Sequence, residues 1–127
     1  MSKLNSYKKI LIIDDEEIVI RPIIKYLTLM KFQVNVATSG EMGIDLYGEI
    51  DFDVAIVDLK MTGMSGMEVI DLLVKRYPNS KIIVITGFLN DKEFQEIKNN
   101  PYVSSILEKP FELNVLLEKI KEVIWFF

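Results

Sequence analysis

Residues 53–66 read DVAIVDLKMTGMSG, and the four residues from Val54 to Val57 form an unbroken apolar run. Such a run is typical of a strand that is buried on both faces of a parallel sheet. An acid, Asp58, ends the run, and a loop with glycines at positions 63 and 66 follows it. Open α/β folds bind their ligands at the carboxyl edge of the sheet, so the pattern predicts that Asp58 lies at a functional edge.

A second strand ends in the same way. Residues Ile10 to Ile13 are apolar and lead directly into Asp14 and Asp15. Two parallel strands with these ends would bring three carboxylates into one crevice, where like charges destabilise one another unless a cation joins them. A hard divalent ion with oxygen ligands, above all Mg²⁺, suits such a place. The acids therefore predict a magnesium site.

The composition limits the classes of function. The 127 residues are enough for one domain, which we expect to fill positions 1–127 without an output domain. The net charge of -4 argues against nucleic-acid binding by a basic surface. The absence of cysteine and histidine excludes disulfides, thiolate chemistry and a phosphohistidine donor. No stretch has the length of a membrane span or the pattern of a signal peptide, so we expect a cytoplasmic protein without membrane insertion.

The rest of the chain continues the alternation of strands and helices. Further strands are predicted at 33–37, 81–86 and about 103–107. Helices are predicted from Glu16 or Glu17 to residue 30, from a cap at Thr38 or Ser39 to about residue 50, at 67–77, at 91–98 and from Phe111 onward. In the first helix Pro22 either produces a kink or marks a late start, and in the second Met42 and Leu46 are expected to face inward. Five βα units in this order predict an α/β fold, a doubly wound five-stranded parallel sheet with helices on both faces.

Two more strand ends carry polar residues suited to the same site. Thr86 ends the fourth predicted strand, and Lys109 follows the fifth. The acids can hold Mg²⁺, while the hydroxyl and the ammonium can hold an anion beside it. Taken together, these side chains describe a site for a phosphoryl group on a carboxylate.

With these residues in this order, the sequence resembles a response-regulator receiver domain of bacterial two-component signalling over essentially its whole length. The resemblance rests on Asp14-Asp15, Asp58 in IVDLKMTGMSG, Thr86-Gly87 after IIVI, and Lys109-Pro110-Phe111. It implies a flavodoxin-like fold with strand order 2-1-3-4-5. It also implies a cis peptide between Lys109 and Pro110 that directs the ammonium into the site.

The resemblance also implies a role for each residue. Asp58 would be the nucleophile that accepts a phosphoryl group from a sensor histidine kinase or a histidine phosphotransfer protein. The Thr86 hydroxyl would hydrogen-bond the phosphoryl group, and Lys109 would neutralise its charge. The implied Mg²⁺ ligands are Asp15 and Asp58 directly, Asp14 through water, and the backbone carbonyl of Lys60. Such a domain is a signalling switch and catalyses only its own phosphorylation and dephosphorylation.

Three positions depart from related patterns and keep alternatives open. Ile106 stands where many receivers carry an aromatic residue that reports phosphorylation, so a pseudo-receiver, a binding module that is not phosphorylated, is the second hypothesis. Lys60 replaces the second acid that a haloacid-dehalogenase-like phosphatase requires, which disfavours that enzyme class. Phe88, two residues after Thr86, is expected to shield the acyl phosphate and slow its hydrolysis.

The C-terminal stretch Val123 to Phe127, VIWFF, is the remaining ambiguity. An exposed aromatic pair can mark a partner or dimer surface, but packing of the aromatic residues against the core is the first interpretation. A homodimer through the last helix is the alternative. No helix-turn-helix pattern follows this helix, so the sequence predicts no direct contact with nucleic acid.

Overall fold

The computed structural model describes residues 7–125 and shows five strands that alternate with five helices. The strands are β1 (Lys9–Ile13), β2 (Gln33–Ala37), β3 (Val54–Asp58), β4 (Ile82–Thr86) and β5 (Val103–Glu108). The helices are α1 (Glu17–Leu29), α2 (Gly40–Glu49), α3 (Gly66–Arg76), α4 (Asp91–Lys98) and α5 (Leu113–Ile124). Strand bounds lie within one residue of the predictions. The central strands β1, β3 and β4 are short and mostly apolar, whereas the edge strands β2 and β5 include polar residues.

All four strand pairs are parallel, and the sheet has the order β2-β1-β3-β4-β5. The chain first moves from β1 to β2 and then crosses back to place β3 on the other side of β1. The connections that leave the carboxyl ends of β1 and β3 therefore run in opposite directions, which makes this a topological switch point, where crevices for ligands form. The predicted doubly wound, flavodoxin-like fold is confirmed.

The core lies on both faces of the sheet. Helices α1 and α5 cover one face through residues such as Ile23 and Leu116. Helices α2, α3 and α4 cover the other, with Ile44, Leu73 and Ile97 among their buried residues. Every residue of β3 and β4 is buried, because both faces of these central strands are covered by helices. This explains why these two strands are continuous apolar runs.

The buried face of α2 differs from the prediction. Met42 was expected to face inward, but its side chain is 44% exposed. Gly43 and Ile44 are buried instead, and a Cβ at Gly43 would lie 2.5 Å from Cδ1 of Ile13. The missing side chain lets the helix approach β1 closely, so the glycine face turns inward. Leu46 is half-buried against the core, as predicted.

Two helix starts also refine the predictions. Helix α1 begins at Glu17, ahead of Pro22, so a late start of regular helix is wrong. Helix α5 begins at Leu113 rather than at Phe111, with Glu112 in extended conformation as its N-cap residue. Within residues 7–125, no helix is long and apolar enough to cross a membrane.

The end of α5 supports the packing interpretation in part. Trp125 follows the helix, and its ring centroid lies 5.8 Å from that of Phe32 in a tilted arrangement. Its side chain is nevertheless 44% exposed. Phe126 and Phe127 lie outside the described residues.

Candidate functional site

Four neighbouring segments meet at the carboxyl edge of the sheet. Strand β1 leads into Asp14, β3 ends at Asp58, β4 ends at Thr86, and β5 is followed by Lys109. The side chains of Asp14 and Asp58 are 0% and 1% exposed, and that of Lys109 is 12% exposed. The structure thus brings together a pair of buried carboxylates, a buried hydroxyl and an ammonium that were predicted from separate strand ends.

Both carboxylate oxygens of Asp58 are engaged. Its Oδ1 accepts the backbone N–H of Lys60 at 3.0 Å, and its Oδ2 accepts a hydrogen bond from Nζ of Lys109 at 3.2 Å. Burial raises the pKa of Asp58 to about 6, and the charge of Asp14 adds to this effect, while the Lys60 amide and the Lys109 ammonium oppose it. Negative charge at this position is therefore poorly compensated by the protein alone.

Lys109 contacts three acids at once. Its Nζ lies 2.6 Å from Oε1 of Glu16, 3.1 Å from Oδ2 of Asp14 and 3.2 Å from Oδ2 of Asp58. Burial by itself would lower the pKa of the ammonium, but the hydrogen bonds to Glu16 and Asp14 and the nearby charges raise it above its ordinary value. The Lys109-Pro110 peptide is cis, as the resemblance implied, and the backbone N–H of Lys109 donates to the carbonyl of Thr86.

The group of acids differs in one member from the predicted one. Carboxylate oxygens of Asp14, Glu16 and Asp58 all lie within 4.8 Å of one another. Asp15 lies outside this group, because its side chain is exposed and its Oδ2 accepts the backbone N–H of Thr62 at 3.0 Å. Asp15 thus ties the end of β1 to the loop between β3 and α3. The roles of Asp15 and of the Lys60 carbonyl as metal ligands stay predictions.

Glu16 is the site residue that the sequence interpretation missed. It stands between the acid pair and α1, in extended conformation, and its side chain makes no capping bond to the helix. Its backbone N–H donates to Oδ1 of Asp14 at 2.9 Å, while its carboxylate reaches Lys109. The available signal was the run of four acids from Asp14 to Glu17, in which only the first two were assigned to the site.

Thr86 presents a polar atom that lacks a partner. Its Oγ1 is fully buried and makes no hydrogen bond within the described part of the chain. Because a buried hydroxyl without a partner costs about 1–3 kcal/mol, this atom marks a place for an acceptor. Thr86 also lines a cavity of about 250 Å³ together with Phe94 of α4 and Ile106 of β5. Ile106 is half-buried and packs against the core, as expected.

The loop after Asp58 is fixed at both ends. Helix α3 begins at Gly66 with a capping box formed by Ser65 and Glu68. A Cβ at Gly66 would collide with the carbonyl oxygen of Asp58 and with Cα of Leu59. The side chain of Lys60 forms an ion pair of 2.8 Å with Glu93, in the first turn of α4. The end of β3, which carries Asp58, is thus in contact with the first residue of α3 and linked through Lys60 to the first turn of α4.

Comparison with known proteins points to one family. The response regulator receiver domain model matches residues 10–121. The heme response regulator HssR of Staphylococcus epidermidis is 34% identical over 117 residues, which cover 90% of this chain and 50% of that protein. A cyclic di-GMP phosphodiesterase of Thermotoga maritima is 30% identical over 115 residues, 91% of this chain and 30% of that protein. The chain therefore spans half or less of these relatives.

Solved structures agree with the sequence comparison. A CheY-like response regulator receiver domain protein from Methanospirillum hungatei has a TM-score of 0.86 at 29% identity, covering 92% of this chain and 93% of that one. The response regulator TrrA of Thermotoga maritima, in complex with Mg²⁺-BeF, has a TM-score of 0.80 at 26% identity, with coverage of 91% and 98%. On the match of the family model over residues 10–121, and with the fold to support it, the chain belongs to the response regulator receiver domain family.

Proposed function

We propose that this receiver domain is a signalling switch in which Asp58 accepts the phosphoryl group. Membership of the family supports phosphorylation-dependent signalling as the general function. One observation supports the specific assignment above all: Asp58 is a buried carboxylate at a strand end, 3.2 Å from the ammonium of Lys109 and beside a second buried acid. The less favoured alternative, a pseudo-receiver, has no need for such a group of charges.

The proposed reaction transfers a phosphoryl group without changing any other bond of the protein. An oxygen of Asp58 forms a bond to phosphorus, the bond between phosphorus and the donor breaks, and the donor keeps the electron pair. The Lys60 amide and the Lys109 ammonium hold the two carboxylate oxygens in place. Lys109 then neutralises charge on the phosphoryl group, and the unpartnered Thr86 hydroxyl donates to one of its oxygens. Positioning and electrostatics are what this reaction class requires.

The donor set fits a magnesium ion. Carboxylates are the hard ligands that Mg²⁺ prefers, oxygens of Asp14 and Asp58 lie within 4.8 Å of each other, and the raised pKa of Asp58 indicates a deficit of positive charge. When bound, the ion would supply charge neutralisation for the transferring group. We propose that Asp15, Asp58 and the backbone carbonyl of Lys60 hold it directly and that Asp14 acts through water.

The proposed phosphodonor is a sensor histidine kinase or a histidine phosphotransfer protein, because the chain has no histidine to carry a phosphoryl group itself. The domain catalyses only its own phosphorylation and dephosphorylation and has no metabolic substrate. That the receiver domain fills positions 1–127, that it is cytoplasmic, and that it dimerises through α5 stay predictions from the sequence.

Intact mass tests the assignment of Asp58. After incubation with Mg²⁺ and acetyl phosphate, we expect one added phosphoryl group on the wild type and none on Asp58→Asn or in EDTA. Because an acyl phosphate can be lost before detection, binding of beryllofluoride with Mg²⁺ is measured in parallel. Failure of the wild type in both assays would make the pseudo-receiver the better description. An added phosphoryl group on Asp58→Asn would contradict the choice of nucleophile.

A further inference from the structure

We propose that Glu16 is an internal competitor for Lys109: its carboxylate occupies the ammonium in the unphosphorylated protein and releases it when a phosphoryl group is bound. This inference rests on the proposed function of Asp58. It makes Glu16 a positioning residue that sets how readily the site accepts an anion. Neither the acid pair nor the residues matched in the resemblance include Glu16.

The hydrogen-bonding capacity of Lys109 is the first step of the argument. An ammonium has three N–H donors, and three different carboxylates lie within 3.2 Å of Nζ. The contact with Glu16, at 2.6 Å, is the shortest of the three. The phosphoryl group on Asp58 takes over the donor that the Asp58 carboxylate held, and a further phosphoryl oxygen can bond Lys109 only by displacing Asp14 or Glu16.

Exposure decides which acid leaves. Asp58 carries the phosphoryl group, so Asp14 and Glu16 are the two free carboxylates that remain. The side chain of Asp14 is 0% exposed and would stay buried after losing the ammonium. The side chain of Glu16 is 55% exposed and can turn into water, where a free carboxylate is well solvated. Glu16 is therefore the partner whose release is least unfavourable.

The local backbone allows this release without unfolding. Although Glu16 is the N-cap residue of α1, its side chain makes no bond to the helix. Its backbone N–H is held by Oδ1 of Asp14, and its backbone carbonyl accepts the N–H groups of Val19 and Ile20. Backbone bonds thus fix the residue, and the carboxylate is free to move while α1 stays intact.

Three variants separate direct competition from other roles. Glu16→Gln removes the charge, and Glu16→Asp keeps the charge but shortens the side chain by one methylene group. Glu17→Gln is the matched control, because Glu17 is adjacent, exposed and paired with Arg21 rather than with the site. Dissociation constants are measured for Mg²⁺ alone and for beryllofluoride at saturating Mg²⁺, with thermal melts to confirm that each variant is folded.

Direct competition predicts that Glu16→Gln and Glu16→Asp bind beryllofluoride about fivefold more tightly than the wild type. This factor corresponds to the free energy of an ion pair in which one partner is half-exposed. Glu17→Gln should match the wild type. If Glu16→Gln binds beryllofluoride more tightly but Glu16→Asp does not, the negative charge of residue 16 acts without direct contact to Lys109, and the proposal is overturned. Equal affinity in all variants would also overturn it. A loss of Mg²⁺ affinity above about tenfold in Glu16→Gln would show that Glu16 supports the metal site rather than competes for Lys109, and would overturn the proposal.

The two proposals fail in different ways. If the wild type binds beryllofluoride and Glu16→Gln binds it no more tightly, the role of Glu16 is refuted and the function of Asp58 stands. If neither binds beryllofluoride, the proposed function fails and the inference falls with it.

Discussion

At the scale of residues, the site has a marked imbalance of charge. Three carboxylates, those of Asp14, Glu16 and Asp58, face the single ammonium of Lys109. The excess of negative charge is what a divalent cation neutralises, so the protein alone provides only part of the positive charge that its acids require. Removing the charge of Asp58 should therefore raise the stability of the metal-free protein and weaken its binding of Mg²⁺.

Asp58→Asn should stabilise the metal-free protein at pH 7 by about 3 kcal/mol. Burial raises the pKa of folded Asp58 from 3.8 to about 6. The unfolded chain therefore gives up this proton at lower pH than the folded one, so stability is lost as pH rises from about 4 through 6 and stays low at pH 7. Asparagine cannot ionise and should remove this part of the pH dependence. Urea unfolding in EDTA across this range measures both effects.

The control for this prediction is Asp71→Asn in α3, because Asp71 is an exposed acid. Its free energy of unfolding should change by less than about 0.5 kcal/mol. If Asp58→Asn is less stable than the wild type at pH 7, the negative charge of Asp58 in the wild type is fully compensated by its neighbours in the folded protein.

Phe88→Ala should shorten the lifetime of the phosphorylated state. Phe88 lies two residues after Thr86, and its side chain is 66% exposed, so truncation should leave the fold intact. If the ring shields the acyl phosphate, its loss admits water and speeds hydrolysis. The half-life of the added phosphoryl mass, followed after removal of the donor, measures this. An unchanged half-life would end the shielding hypothesis.

At the scale of elements, the start of α3 fixes the end of β3. Gly66→Ala should destabilise the protein by about 1–3 kcal/mol, because the new methyl group meets the backbone of Asp58 and Leu59. Gly87→Ala is the matched control, since a Cβ there has no atom within 4 Å. Urea midpoints compare the two variants. Equal stability would mean that α3 can shift away from the strand at little cost.

The ion pair between Lys60 and Glu93 links the site to α4. The backbone of Lys60 bonds Asp58, while its side chain bonds the first turn of the helix. Glu93→Gln should preserve the capping box with Asn90 but break the ion pair. We expect faster amide hydrogen exchange in α4 and the β3–α3 loop, with a change in global stability below about 1 kcal/mol.

Glu96→Gln tests whether this effect is specific, because Glu96 is an exposed acid of the same helix without an ion pair among residues 7–125. Its exchange rates should match those of the wild type. Faster exchange in both variants would indicate a general effect of helix charge rather than the loss of the link.

At the scale of the whole molecule, the fold followed from the sequence because its central strands β1, β3 and β4 are short apolar runs and strands alternate with helices along the chain. Local pattern also placed Asp58, Thr86 and Lys109 at strand ends, and parallel topology then brought those ends to one edge. The inward position predicted for Met42 in α2 was wrong, because Gly43 approaches Ile13 of β1 closely, and the helical period of α2 carries no information about that contact.

The details of the acid group were likewise beyond local pattern. Whether Asp15 or Glu16 reaches the site depends on where extended backbone changes to helix, a matter of a single residue. Here α1 begins at Glu17, which leaves Glu16 extended beside Lys109 and turns Asp15 toward Thr62. The exact first residue of a helix is the least certain feature of a sequence pattern. The pattern therefore could not show whether Asp15 or Glu16 joins Asp14 and Asp58 at the site.

The bond between Asp14 and Lys109 spans 95 positions of the chain. During synthesis from the N-terminus, Asp14 and Asp58 therefore emerge well before Lys109, whose ammonium pairs with both of them in the folded protein. An early sheet that enclosed Asp14 and Asp58 alone would bury two carboxylates without a counter-charge, which is strongly unfavourable. On the ribosome, the acids thus disfavour closure of an incomplete domain, and the emergence of Lys109 removes that penalty as the last strand and helix dock.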